Sequence, residues 1–229
     1  MLEESRDVLG GCSGAQDETL ENFRHRIFRK NSMFDIYANA RDDAWRFTLG
    51  QSGTRKLLTI GLNPSTATKE KSDPTATRVR KVAQDNGFDG FIMLNLYPIR
   101  ATDFRTLPRE VDEKALAQNI RTIEALVGAE KDPIIWAAWG ENIAYHSFFE
   151  RALRELYSRL QPRNVNWVHF GTITASGHPR HPSRLAYAWS FSPLDIESYV
   201  ASLNSSAQAR HGRLNVPSAL LKEPILSAD

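Results

Sequence analysis

Three short polar segments follow apolar runs and carry the side chains best suited to chemistry. They are Gly-Leu-Asn-Pro-Ser, with Asn63, Pro64 and Ser65; Asn-Leu-Tyr-Pro-Ile-Arg, from Asn95 through Tyr97 to Arg100; and Gly-His-Pro-Arg-His-Pro-Ser, with His178, Arg180, His181 and Ser183. Asn63 precedes a proline, which disfavours the helical region for its backbone and fixes the direction from which its side chain starts. Its amide offers donors and an acceptor that could hold a water or a ligand edge. An Asn-Pro pair also serves simply to turn a chain after a strand. Asn95 falls inside an apolar run, where an unsatisfied amide costs about 1–3 kcal/mol, so it must bond neighbouring backbone or face a site. Imidazoles in a stiff, proline-bounded loop suit hydrogen bonding to a developing anion, and either His178 or His181 could act as a general acid. A rigid surface turn is the competing reading of that loop. Arg100 and Arg180 could contact an anionic ligand or form exposed ion pairs.

Other chemistries lack their residues. The four remaining histidines are scattered and no carboxylate accompanies the double-histidine loop, so no metal site is expected there. The single Cys12 forms no intramolecular disulfide and holds no cluster by itself, which fits a reducing, cytoplasmic setting. No glycine-rich phosphate loop, dinucleotide fingerprint or GxSxG elbow occurs, so no cofactor is expected. Ser65 and Ser183 become nucleophiles only where a base meets them; capping and turn bonding are their usual uses. A formal charge of +2 is too small to argue nucleic-acid binding globally, although Arg78, Arg80, Lys81, Arg105, Arg109 and Arg184 lie near the motifs and could form a local basic patch. No apolar run reaches the roughly 20 residues that span a bilayer, and the amino terminus is acidic, so neither membrane nor export is expected. The oligomeric state is not legible.

The elements that must position these residues follow from periodicity. Phe34 to Gly50 reads as an antiparallel edge hairpin around an Asn/Asp turn, with Trp45, Phe47 and Leu49 alternating. KLLTIGL, FDGFIMLNLY, PIIWAAWG and VNWVHFG read as four buried strands. A helix starts with Asp73 as N-cap and Pro74 at its first position; a second spans EKALAQNIRTIEALV; a third covers Ala144–Leu160; and Ser192-Pro193 caps a last one through Val200. Leu20, Phe23, Ile27 and Phe28 suggest a short amphipathic helix over Thr19–Lys30. The expected organisation is an amino-terminal extension over 1–18, a single α/β domain over 19–203 and a carboxyl-terminal extension over 204–229. The domain should be three layers, α/β/α, around a mainly parallel four-stranded sheet with the hairpin at its edge, and ligands should sit beyond the carboxyl ends of the strands.

The order GLNPSTA, DPT opening a helix, NLYPIRAT, AWG after a strand and GHPRHPSRL resembles an uncharacterised bacterial and phage family known only as a domain of unknown function, over about Phe34 to Leu185. More distantly, the layout is similar to the uracil-DNA glycosylase superfamily. That resemblance implies a glycosylase-like sheet, with Asn63 positioning water beside Pro64, Asn95 reading a base edge, and His181, Pro182 and Ser183 matching the His-Pro-Ser loop whose His stabilises the departing base. The chain departs from it with Ser65 where Gly or Tyr commonly follows the Pro, and with no aromatic between Ser65 and Gly87; Tyr97 is the substitute stacking residue. The expected function is a nucleobase- or nucleotide-directed enzyme, with N-glycosidic hydrolysis of a nucleic-acid (DNA or RNA) or nucleoside substrate as its reaction, assisted by His178. The alternative is a non-catalytic nucleic-acid or nucleotide-binding protein using the same cleft, and a remote third is a serine-type hydrolase.

Overall fold

The structure, a computed structural model, describes residues 33–203; the expected helix over Thr19–Lys30 and both terminal extensions lie outside them. The chain enters as β1 (Ile36–Ala40) and reverses through Arg41, Asp42 and Asp43, all at positive φ. Aspartates tolerate that region because their short polar side chains can bond local backbone. It returns as β2 (Trp45–Gln51), antiparallel to β1.

From there strands and helices alternate: β3 (Lys56–Gly61), α1 (Pro74–Asp85), β4 (Gly90–Asn95), α2 (Glu113–Gly128), β5 (Ile134–Ala137), α3 (Ser147–Leu160), β6 (Asn166–Phe170), β7 (Phe191–Pro193) and α4, described over 196–203. Asp73 caps α1 by accepting from the Ala76 amide at 2.7 Å, and Asp112 caps α2 by accepting from Ala115 at 3.0 Å. Those carboxylates satisfy amides that have no partner within the helix.

The strands form one sheet in the order β1-β2-β4-β3-β5-β6-β7. β4, β3, β5 and β6 are parallel neighbours; β2 pairs antiparallel with β4, and β7 antiparallel with β6. The expected four-stranded, mainly parallel sheet is therefore corrected to a mixed sheet of seven strands. The hairpin is no appendage, because Leu49 sits opposite Met93 and extends the sheet past its parallel block.

Ser192-Pro193 has the form of a helix opening, and the structure corrects that expectation. Instead Ser192 pairs with His169 and Phe191 packs against Trp136 and Phe170, while Asp195 accepts from the Ser198 amide at 3.0 Å and opens α4. Proline is tolerated there because it lies at the end of an edge strand. The third expected helix, Ala144–Leu160, starts later, at Ser147, and a 3-10 turn over Glu141–Ala144 precedes it.

Period-two alternation assigns the two sheet faces. Leu58, Ile60, Ile92, Leu94 and Ile135 pack with α2 and α3, whereas Leu57, Phe91, Met93 and Trp136 pack with Val79 and Val82 of α1. Helices thus cover both faces and leave the carboxyl ends of the parallel strands to the loops. Among the described residues no helix is long and apolar enough to cross a membrane.

The reassignment of residues 191–195 has a direct check in urea unfolding. Asp195→Ala should cost about 1 kcal/mol, the usual worth of an N-cap, while Ser192→Ala should change stability by less than about 0.5 kcal/mol. The reverse ranking would restore Ser192 as the cap.

Candidate functional site

At the carboxyl end of β3 the chain passes from Gly61 into Leu62-Asn63-Pro64. The Asn63 Nδ2 donates to its neighbour Pro64 O at 3.1 Å and to Ala101 O, in the loop after β4, at 2.9 Å. Both partners are carbonyls, so the orientation of the amide is dictated by chemistry. Its Oδ1 accepts nothing among the described residues and remains available in a cavity of about 580 Å³ whose wall includes Asn63.

Asn95 ends β4, is 3 % exposed and lines the same cavity. Its main-chain carbonyl accepts from Asn119 Nδ2 at 2.8 Å, but its own Nδ2 is buried without a partner. A Cβ added at Gly61 would stand 2.9 Å from the Asn95 Oδ1, which explains the glycine before Leu-Asn-Pro: it leaves room for the amide on the neighbouring strand.

The third wall is the turn at His181-Pro182-Ser183. Ser183 N donates to His181 Nδ1 at 3.2 Å, and the Ser183 Oγ lies 2.8 Å from the same nitrogen. A backbone amide can only donate, so Nδ1 is unprotonated and the ring proton of the neutral imidazole sits on Nε2. The ring is only partly buried, but desolvation by the groups packed around it lowers the His181 pKa to about 4, with Arg184 adding to the shift and Asp73 opposing it. Arg78 of α1 donates to the carbonyls of Pro182 and Ser183 at 3.3 and 3.2 Å, holding the turn. After β5, Gly140 adopts φ 75°, and a Cβ there would lie 3.0 Å from the His181 Cβ, so this glycine serves both the turn and the close approach.

The structure gathers Asn63, Ser65, Asn95, Arg180, His181 and Ser183 around one cavity. Arg180 is further held by Thr172 O at 2.9 Å and stacks over Trp189. Four other candidates lie elsewhere. Pro64 is buried beside the wall, its carbonyl accepting from Ala101 N. Tyr97 is in the core against Phe148, its hydroxyl accepting from Asp112 N at 2.8 Å. Arg100 is a strap, donating to Ser65 O, Ala67 O and Tyr37 and pairing with Asp43 at 2.9 Å. His178 is off the cavity wall, its Nδ1 2.8 Å from the Tyr199 hydroxyl, which also accepts from Trp139 at 3.0 Å.

Among the wall residues that sequence reasoning missed are Arg46 and Thr59 on strands, Asp73 beyond its capping role, Phe104 and Glu141. Phe104 is a partly exposed aromatic on the wall, and it lies outside the Ser65–Gly87 interval that carries none. Among the described residues no group of three or more His, Cys, Asp or Glu side chains is placed to hold a metal ion.

Fold and site together define an α/β protein with a polar cavity at the carboxyl ends of its parallel strands. The chain belongs to the family described as "Protein of unknown function (DUF1643)", whose model matches residues 45–183, from β2 to the His181 turn. No curated protein matches the chain in sequence.

The environment of His181 gives a pH signature. Its folded pKa lies below the unfolded value of about 6.5, so the stability gained from burying the neutral ring is complete above that value and is lost as pH falls towards about 4. Carbon-13 or proton NMR should show the His181 ring neutral down to about pH 5, and His181→Gln should flatten the acid-side decline in melting temperature. A His181 titration near 6.5 would contradict the burial argument.

Proposed function

We propose that the cavity receives a nucleobase-bearing ligand and supports hydrolysis of an N-glycosidic bond. One observation carries the reading: a neutral imidazole whose only ring proton is on Nε2 shares a cavity with the unengaged amide oxygen of Asn63. The resemblance of the motif order to the uracil-DNA glycosylase superfamily gives the reading its direction.

In this mechanism Asn63 Oδ1 accepts a hydrogen from water and aims its oxygen at the sugar carbon of the glycosidic bond. The C–N bond breaks with its electron pair going to the base, and the hydroxyl of the water bonds to carbon. His181 Nε2–H donates a hydrogen bond to the charge developing on the base, and the water's proton ends on the departed base. A neutral donor suits this role because it stabilises a developing anion without needing to be charged beforehand. Asn95 presents its amide to the base edge, and Phe104 offers a face for stacking. His178, bonded to Tyr199, acts through the position of the loop.

A specific observation favours the second reading, ligand binding without catalysis. Of the two carboxylates on the cavity wall, Asp73 caps the amides of Ala76 and Ala67, and Glu141 accepts from the Ser176 hydroxyl, which holds its pKa below the ordinary carboxylate value and makes it a weaker general base. The serine-type hydrolase gains little. Ser183 meets His181 through a local turn in which the same nitrogen already accepts the Ser183 amide.

The test is a panel of uracil, mismatch and modified-base oligonucleotides and nucleosides, assayed for base release. The enzyme reading expects release by the wild type and a loss of about 100-fold or more in Asn63→Ala, the scale of removing one positioned polar group from an active site. Binding without release would establish the second reading, and release unchanged in Asn63→Ala would reject the role given to Asn63. Phe104→Leu should weaken base binding by about 1–3 kcal/mol if the ring stacks, measured by fluorescence titration.

A further inference from the structure

The inner wall of the cavity holds a cation that the mechanism does not use. Arg46, in β2, is 2 % exposed. Its Nη1 donates to Ala67 O at 3.2 Å, its Nε is buried without a partner, and among the described residues it makes no salt bridge. The guanidinium stays charged in neutral solution, since burial and the neighbouring Arg100 lower its pKa only to about 10 while Asp73 opposes them. Asp73 raises that pKa through its charge but forms no ion pair with Arg46, and its two oxygens accept from the Ala76 and Ala67 amides.

Two further orphans share this wall. The Thr59 Oγ1 of β3 and the Asn95 Nδ2 of β4 are also buried without partners, and both residues line the cavity with Arg46. β2, β4 and β3 are consecutive in the sheet, so the three side chains come from adjacent strands. Buried polar atoms are almost always hydrogen-bonded, and a buried charge is almost always paired. Three unpaired groups on one wall, all able to donate and one of them cationic, mark a place where something outside the chain supplies acceptors and negative charge.

We propose that Arg46 is the anion-recognition residue of this cavity and that the ligand carries an oxyanion, a phosphate or a carboxylate. Its oxygens accept from the part of the guanidinium not committed to Ala67, with the Thr59 hydroxyl and the Asn95 Nδ2 completing the set, while the Asn95 Oδ1 remains for a base edge. The planar guanidinium favours such groups because it can offer two parallel donors to two oxygens. The inference rests on the cavity being the ligand site, and not on which bond is cleaved there.

Inorganic phosphate and acetate, titrated separately into the full chain, test it by thermal unfolding and by NMR of the arginine Nε–H groups. The expected result is a saturable rise in melting temperature with at least one anion and a shift of the Arg46 Nε–H resonance, identified by its disappearance in Arg46→Met. A response to phosphate alone or to acetate alone names the source of the oxyanion. Arg46→Met should abolish the response, Arg46→Lys should weaken binding by about tenfold or more through loss of the planar fork, and the near-isosteric Thr59→Val should weaken it several-fold even if the arginine variants fail to fold. No saturable response to either anion, or an undiminished response in Arg46→Met or Thr59→Val, would overturn the proposal. Base release in the oligonucleotide panel is scored independently, so failure of one reading leaves the other standing.

Discussion

A single side-chain amide joins the loops that leave two neighbouring parallel strands. Asn63 spends both donor hydrogens on carbonyls, one beside it and one 38 residues away, and Ala101 returns a backbone bond to Pro64. The bridge continues the pairing of β3 with β4 beyond the strands, through Leu96 N to Gly61 O and Tyr97 N to Leu62 O. Two loops that would otherwise move separately become one wall, and the one polar atom of Asn63 left over is an acceptor. Arg100 repeats the device from the other side by fastening Ser65 and Ala67, and Arg78 fastens the His181 turn to α1. Cations that look available for a ligand in sequence are therefore spent on carbonyls. This is the usual way a loop's backbone is satisfied when it has no ladder of its own.

The electrostatics follow from that arrangement. Arg46, Arg180 and Arg184 line the cavity against Asp73 and Glu141, and both carboxylates are already hydrogen-bonded. Burial keeps His181 neutral, so the imidazole contributes a directed N–H and no charge. The wall is consequently rich in donors and short of free acceptors, a bias that suits ligands carrying oxygen-rich or anionic groups. Membership of the DUF1643 family extends over the segment that carries this wall, from β2 to the His181 turn.

Much of this was legible before the fold was known, for identifiable reasons. Proline after Asn63 and the apolar run before it announced a strand end, and Asp73-Pro74 announced a helix start, because both are local steric or capping signals. Arg46 was hidden because it alternates with Trp45 and Phe47, a pattern that reads as a solvent-facing position; pairing of β2 between β1 and β4 buries it instead. Tyr97 and Arg100 stand in a polar segment, but their partners are 15 to 63 residues away, beyond what spacing can report. His178 and His181 are three residues apart in one loop, and only the packing of Tyr199 against the first and Gly140 against the second separates their roles. The extent of the sheet was illegible for a similar reason, since β7 is three residues long and ends in proline.

Everything rests on loops from distant parts of the chain forming one receptive wall. Backbone amide chemical-shift mapping of the nitrogen-15-labelled full chain, titrated with nucleosides and nucleoside monophosphates, examines that directly. The account predicts that a bound compound perturbs Gly61–Asn63, Asn95, Gly140 and His181 together, with one shared dissociation constant. Perturbations confined to the separate groove that Ile36, Ala38 and Thr48 form with Gln118 and Thr122 of α2, or to one of these loops with the others silent, would contradict it.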